Sequence, residues 1–171
     1  MKHKILITGK PGAGKTTLMR KLAECVKDRN PAGFYTVEIR EAGIRKGFEL
    51  VGLDGRRQQL AHIDIKSRFR VGKYGVDIER FDEFLAGLEF DKPNCDLIII
   101  DEIGKMECFS QVFINRINSV MNSGKAILAV VALKGGGLIE SVKRRADVEV
   151  YDLTIENRDN LLDQILGLLQ K

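Results

Sequence analysis

Tryptophan is absent from this 171-residue chain, aromatic residues are only 6% of it, and cysteine and proline occur three times each. These scarcities exclude several classes of protein. The cysteines, Cys25, Cys95 and Cys108, are odd in number and show no Cys-x-x-Cys spacing. That argues against a disulfide framework and against a zinc site, and reduced thiols are expected instead. No apolar run approaches the ~18 residues of a membrane span. The start of the chain, Met1 to Gly9, holds only Ile5-Leu6-Ile7 as an apolar stretch, where a signal peptide needs ~7–15 residues. A cytoplasmic protein without a membrane partner is expected. The net charge of +4 is mild and its cations are spread along the chain. A nucleic-acid module clusters its cations among aromatics, so nucleic acid is not an expected partner.

What is present suits one globular domain spanning residues 1–171, monomeric by default. Hydrophobic residues make up 44%, enough to close a core without covalent staples. Ile5-Leu6-Ile7 reads as a short buried strand, followed by a glycine-rich turn and a helix from about Lys15 to Asp28. Leu18, Leu22, Cys25 and Val26 share a face of that helix, and Asn30-Pro31 ends it. The segment 33–63 has a different texture. Phe34–Arg40, Gly47–Val51 and Gln59–Ile63 are strand candidates separated by the turn signals Glu41-Ala42-Gly43 and Asp54-Gly55, which predicts a small antiparallel meander. Residues 69–77, with two glycines and two cations, read as a loop, and a helix follows from Ile78 to about Leu88.

The second half alternates strand and helix. Leu97–Ile100 and Ala126–Val131 are continuous apolar runs, as in strands buried on both faces of a parallel sheet. Ser110 is placed to cap a helix carrying Phe113, Ile114, Ile117 and Met121. A short helix over Leu138–Arg145, a strand over Val148–Tyr151 and a final helix capped by Thr154 complete the pattern. The expected fold is α/β, a mainly parallel sheet with helices on both faces plus the meander.

Gly9-Lys10-Pro11-Gly12-Ala13-Gly14-Lys15-Thr16 fits G-x-x-x-x-G-K-[ST] at every fixed position, with a strand before it and a helix opening at its end. A chain of this composition meets that pattern by chance roughly 0.01 times, so a merely structural glycine turn is set aside. Backbone N–H groups of such a loop curl around phosphate oxygens at the positive end of the helix. Lys15 is expected to reach the β- and γ-phosphates, and the Thr16 hydroxyl to ligate Mg²⁺. A dinucleotide fingerprint fails, because Thr17 stands where its third glycine is needed.

The strand Leu97–Ile100 runs into Asp101-Glu102. An aspartate there is placed to hold the Mg²⁺ shell, and a carboxylate just beyond it to deprotonate an attacking water. Kinases, which deliver the phosphoryl group to another acceptor, have less use for that second acid, so the pair favours hydrolysis. In the following Ile103-Gly104-Lys105-Met106-Glu107, Gly104 lets the backbone approach a nucleotide. Lys105 and Glu107 are either site residues or a solvated ion pair.

With these residues in view, the chain resembles the small P-loop nucleoside-triphosphatases, the family of the cancer-related nucleoside-triphosphatase and its thermophile relatives. The shared motifs are Gly9–Thr17, Gly33-Phe34-Tyr35-Thr36, Arg70-Val71-Gly72-x-Tyr74-x-Val76-Asp77, Asp101–Ser110 and Glu156-Asn157-Arg158. They run from end to end, and the Asp101–Ser110 block is the most specific. The resemblance implies slow, Mg²⁺-dependent hydrolysis of several nucleoside triphosphates on a kinase-like fold. It implies nucleotide contacts from Gly9 to Thr17 and from Ile99, Ile100, Asp101, Glu102, Ile103, Gly104, Lys105 and Met106, with Glu102 as the catalytic carboxylate. Relatives usually follow the strand Ala126–Val131 with Thr-Ile-Pro. Here Ala132-Leu133-Lys134-Gly135-Gly136-Gly137 stands instead, and nothing is carried over to that loop.

Asn157 and Arg158 lie beyond the carboxyl end of the last strand, where parallel sheets bind ligands, and a base or ribose contact is expected of them. Arg70 and Lys73 either close on phosphates or belong to a solvated loop. Arg144-Arg145 faces solvent rather than clamping a lid, and His3 and His62 have no metal-ligand company. Two other functions stay open: a nucleoside or nucleotide kinase using the meander as an acceptor pocket, and a non-enzymatic nucleotide-dependent switch.

Overall fold

The computed structural model describes residues 3–169; Met1 and Lys2 of the N-terminal stretch lie outside them. In chain order the elements are β1 (Lys4–Thr8), α1 (Lys15–Cys25), β2 (Ala32–Glu41), β3 (Ile44–Gly52), β4 (Arg57–His62), β5 (Arg70–Val71), β6 (Tyr74–Val76), α2 (Ile78–Ala86), β7 (Leu97–Ile103), α3 (Gln111–Asn122), β8 (Ala126–Val131), α4 (Leu138–Lys143), β9 (Glu149–Asp152) and α5 (Arg158–Leu169). Short 3-10 turns cover Lys27–Arg29 and Glu107–Phe109.

The strands form one sheet in the order β5-β6-β4-β3-β2-β7-β8-β1-β9. From β2 to β9 the neighbours are parallel, and from β2 outward to β5 they are antiparallel. The apolar runs are continuous because both faces are covered. Ile5, Ile7, Leu97 and Ile99 pack under α1 and α5, while Leu6, Ile98 and Ile100 pack under α2, α3 and α4. Phe34 of β2 is fully buried on the second face. It meets Phe81, Phe84 and Phe113 edge-on, with centroids 5.8–6.5 Å apart.

The meander is therefore not an appendage. Its first strand, β2, is itself a parallel strand beside β7, and the hairpins widen the same sheet. The antiparallel part also reaches further than 33–63. Residues 69–77, expected as a loop, contain the hairpin β5–β6, with Tyr74, Gly75 and Val76 buried. The tie comes from β3, where Arg45 donates to the Tyr74 hydroxyl at 3.0 Å and to Glu38 at 2.8 Å. Gly75 is a close crossing rather than a loop residue: a Cβ there would lie 2.0 Å from the Ile65 carbonyl oxygen.

Other expectations shift at element ends. Helix α1 stops at Cys25, and the 3-10 turn takes over, so Cys25 is exposed and Met19 joins Leu18 and Leu22 on the buried face. Ser110 does cap α3, accepting from the Phe113 N–H at 2.9 Å while donating to Asp82 of α2. Ahead of α5, Asn157 rather than Thr154 occupies the position whose carbonyl starts the helix, accepting from the Leu161 N–H at 2.8 Å. Among the described residues no helix is long and apolar enough to cross a membrane.

Candidate active site

The phosphate loop joins β1 to α1 at the carboxyl edge of the sheet. Gly14, the residue before α1, is left-handed (φ +97°). Lys10, Pro11 and Gly12 form an exposed tip, while Ala13 is buried and its N–H donates to the Lys10 carbonyl. The Lys15 ammonium lies inside the loop, donating to the carbonyls of Gly9 at 2.8 Å and Lys10 at 2.9 Å. Thr16 is half-buried and Thr17 exposed on the first turn of the helix.

Strand β7 continues through Asp101 and Glu102, past the end expected at Ile100. Its pairing with β8 is regular to Ile100↔Ala129 and resumes at Ile103↔Val131, so one extra residue is inserted. Such a bulge re-aims side chains out of the ladder. From β2 the Thr36 hydroxyl donates to the Asp101 carbonyl at 2.6 Å and pins the bulge. The Asp101 carboxyl is buried, and its Oδ2 has no hydrogen-bond partner among the described residues. Burial pushes its pKa up to about 7, helped by the Glu102 charge and opposed by the Thr16 hydroxyl and by Lys15. Burial also raises Glu102, again against Lys15. The loop cation, the Thr16 hydroxyl and both carboxylates thus form one electrostatic unit, built from segments far apart in the chain.

The turn after β7 separates two residues that the sequence left as a possible ion pair. Lys105 is exposed, whereas Glu107 is buried. Burial raises the Glu107 carboxyl well above the usual range, and the Glu102 charge adds to the rise. Burial and the same two glutamates push the Cys108 thiol up to about 12. Ile99, Ile100 and Ile103 direct their side chains into the core, so their place in the site is as the strand that carries Asp101 and Glu102. Gly104 is buried and Met106 packs partly against the core.

Arg158 lines a small cavity of about 250 Å³ with Gly14, Thr17, Leu18 and Lys21. It therefore adjoins the end of the phosphate loop. Asn157 is committed to the turn: its Oδ1 accepts from the Thr154 N–H at 2.9 Å and its Nδ2 donates to the Asp152 carbonyl at 2.8 Å. Replacing Asn157 with Ala removes both of these side-chain hydrogen bonds and is expected to cost about 1 kcal/mol, read as a lower urea midpoint. Arg70 donates to the Lys73 carbonyl and Lys73 lies over the Tyr74 ring; both are exposed. Arg144 is exposed, but Arg145 does not simply face solvent. It holds Asp147, the Asn122 side chain and the Met121 carbonyl. His3 pairs with Glu149 and His62 with Asp64.

Two features gave no sequence signal. One is the Phe69–Phe109 contact at 5.4 Å, which joins the β5–β6 segment to the turn after β7. The other is a groove of about 1300 Å³ between α1 and the β2–β3 hairpin, where Arg20 lies over the Tyr35 ring.

The donor set suits Mg²⁺. Thr16 and Asp101 offer hard oxygens, and the unpartnered Asp101 Oδ2 is a buried acceptor in want of a positive partner. Among the described residues no three His, Cys, Asp or Glu side chains form a metal cage. A cation shared with substrate phosphates needs only one or two protein oxygens.

A family model described as NTPase matches residues 4–166. The chain is 44% identical to the nucleoside-triphosphatase THEP1 of Thermotoga sp. (strain RQ2), over 98% of this chain and 95% of that protein. It is 37% identical to the human cancer-related nucleoside-triphosphatase, over 99% of this chain and 98% of that one. Among solved structures, THEP1 from the hyperthermophile Aquifex aeolicus superposes with a TM-score of 0.89 at 35% identity, covering 98% of this chain and 99% of that chain. The solution structure of the human cancer-related nucleoside triphosphatase gives 0.83 at 36% identity, covering 99% and 98%. Sequence, fold and the phosphate-loop geometry agree, and the chain belongs to this NTPase family.

Proposed function

We propose that the protein hydrolyses nucleoside 5′-triphosphates, ATP and GTP among several, to the diphosphate and phosphate, with Mg²⁺. The observation that carries this reading is the convergence of Lys15, Thr16, Asp101 and Glu102 at the carboxyl edge of the sheet. The loop N–H groups and Lys15 bind the β- and γ-phosphates. Thr16 and Asp101 would hold Mg²⁺, which neutralises charge on the phosphate oxygens when bound. Glu102 takes the proton from water attacking the γ-phosphorus. Burial raises its basicity and the Lys15 charge opposes that rise; a raised carboxyl is the direction of tuning a general base needs. Arg158 and the cavity beside Thr17 receive the nucleoside end.

The test is phosphate release from ATP, GTP, CTP and UTP with Mg²⁺ and no added acceptor. Steady turnover on several bases is expected. Lys15→Ala should reduce kcat/KM by roughly 10²-fold or more, since one charge-stabilising donor is worth that much in comparable sites. Nucleotide binding without turnover would overturn the hydrolase reading. It would favour a kinase, whose acceptor has room in the groove beside Arg20 and Tyr35.

A further inference from the structure

The antiparallel half of the sheet buries its two faces unequally. Phe34, Leu50 and Leu60 are fully buried in the core beneath α2 and α3. On the opposite face, Tyr35 of β2, Val51 of β3 and Arg57 of β4 are register partners and stand in one row across three strands. Helix α1 borders this row, and the groove of about 1300 Å³ opens between them. That is more room than the ~300–1,000 Å³ of a small-molecule pocket. The proposed hydrolysis makes no use of it.

Cations that the sequence spreads out converge on this groove. Arg20, Lys21 and Lys27 come from α1, Arg57 from β4 and Lys92 from the segment between α2 and β7. Three acids share the lining: Glu24, Asp54 and Glu89. Two of them are already neutralised, Glu24 by Lys27 at 2.7 Å and Asp54 by Arg56 at 2.7 Å. Arg57 is committed to Glu49. Arg20, Lys21 and Lys92 have no carboxylate partner among the described residues. Lys92 donates to the Asn30 side chain at 2.8 Å, and the Arg20 guanidinium lies 5.6 Å from the centre of the half-buried Tyr35 ring. Pro31, Gly33, Val51 and Leu53 add an uncharged surface between the cations. Uncommitted cations beside an aromatic ring suit one kind of polymer: phosphates follow the cations and bases stack on the ring. An acidic peptide would use the cations and leave the ring and the uncharged surface idle.

We propose that the groove between α1 and the β2–β3 hairpin binds single-stranded nucleic acid, with Arg20, Lys21 and Lys92 on its phosphates and a base stacked on the Arg20–Tyr35 pair. Thr17, Lys21 and Leu162 line both this groove and the small cavity beside Arg158. The strand therefore runs up to the phosphate loop without entering it. The mild net charge concealed this surface, because its cations belong to three separate elements and only the fold gathers them.

The experiment is fluorescence anisotropy of labelled oligo-U and oligo-dT, each of roughly ten nucleotides, titrated with the protein. A dissociation constant of about 1–100 µM at physiological salt is expected, with log K falling against log salt at a slope of about −2 for three neutralised phosphates. Arg20→Ala and Tyr35→Leu should each weaken binding roughly 10-fold, while Tyr35→Phe keeps the ring and should bind like wild type. Lys92→Ala should make the slope shallower by about 0.7. Lys15→Ala should still bind the strand, because the strand lies outside the phosphate loop. Melting temperature and phosphate release from MgATP in Arg20→Ala and Lys92→Ala should stay at the wild-type level, which separates lost binding from lost folding. Absence of binding to either strand up to about 300 µM protein, beyond the range of ordinary non-specific association, would overturn the proposal. So would unweakened binding in both Arg20→Ala and Tyr35→Leu, or Tyr35→Phe as weak as Tyr35→Leu. Displacement by polyglutamate as effective as by unlabelled strand would make the groove an acidic-peptide site instead. Displacement by UMP at the same concentration would make it a mononucleotide pocket, and loss of binding in Lys15→Ala would put the strand in the phosphate loop; each of these overturns the proposal.

Discussion

Glu102→Gln is expected to bind MgATP at least as well as wild type and to release phosphate roughly 10²- to 10⁴-fold more slowly, the usual cost of removing a general base. Gln has nearly the shape of Glu, so packing over Gly104 is preserved. What disappears is a proton acceptor beside the phosphate loop. Removing one negative charge near Lys15 and Asp101 leaves the cationic loop less opposed, so affinity should hold or rise. Lys15→Ala should instead raise the dissociation constant. Single-turnover hydrolysis together with equilibrium nucleotide binding separates the two. Wild-type turnover in Glu102→Gln would mean that the water is activated without this residue.

Gly33→Ala is expected to be the most damaging single-methyl change in the fold. Gly33 pairs with Ile99 across β2 and β7 at φ +137°, and an added Cβ would sit 1.7 Å from the Ile99 carbonyl oxygen. Neither backbone can retreat. Ile99 is clamped between α1 and the sheet, and the next residue, Phe34, is locked among three aromatic rings. Forcing the strands apart would also break the Thr36 hydrogen bond that pins the Asp101 bulge. The cost should exceed roughly 4 kcal/mol, the range reserved for steric conflict at special backbone sites. Urea denaturation followed by circular dichroism reads it directly. A variant with the wild-type midpoint would show that the β2–β7 crossing yields more easily than its geometry suggests.

That second case shows how legible the site was. Gly33-Phe34-Tyr35-Thr36 stood out in the sequence as a motif without a reason. The structure supplies three: a close crossing at Gly33, an aromatic anchor at Phe34 and a bulge pin at Thr36. Phe34 and Thr36 face partners some fifty to eighty residues away in the chain, and no local pattern encodes such meetings. The 70–76 hairpin was missed for a related reason. Two glycines and two cations are loop signals by composition. Here the partner residue, Arg45, belongs to another strand, and Gly75 is present because Ile65 passes too close for any side chain.

By itself, the sequence determined the phosphate loop, the buried strands and the acid pair at the end of β7. Each is written in consecutive residues whose spacing has one physical meaning: glycines and a lysine around phosphate, an apolar run covered on both faces, acids at a strand end. Only the tertiary structure decided that β2 lies beside β7, that Asn157 serves the turn before α5, and that Lys105 and Glu107 part company. A side chain's solvent, charge and partners are properties of the assembled sheet and helices, and burial alone set Glu107 apart from the exposed Lys105 two residues before it.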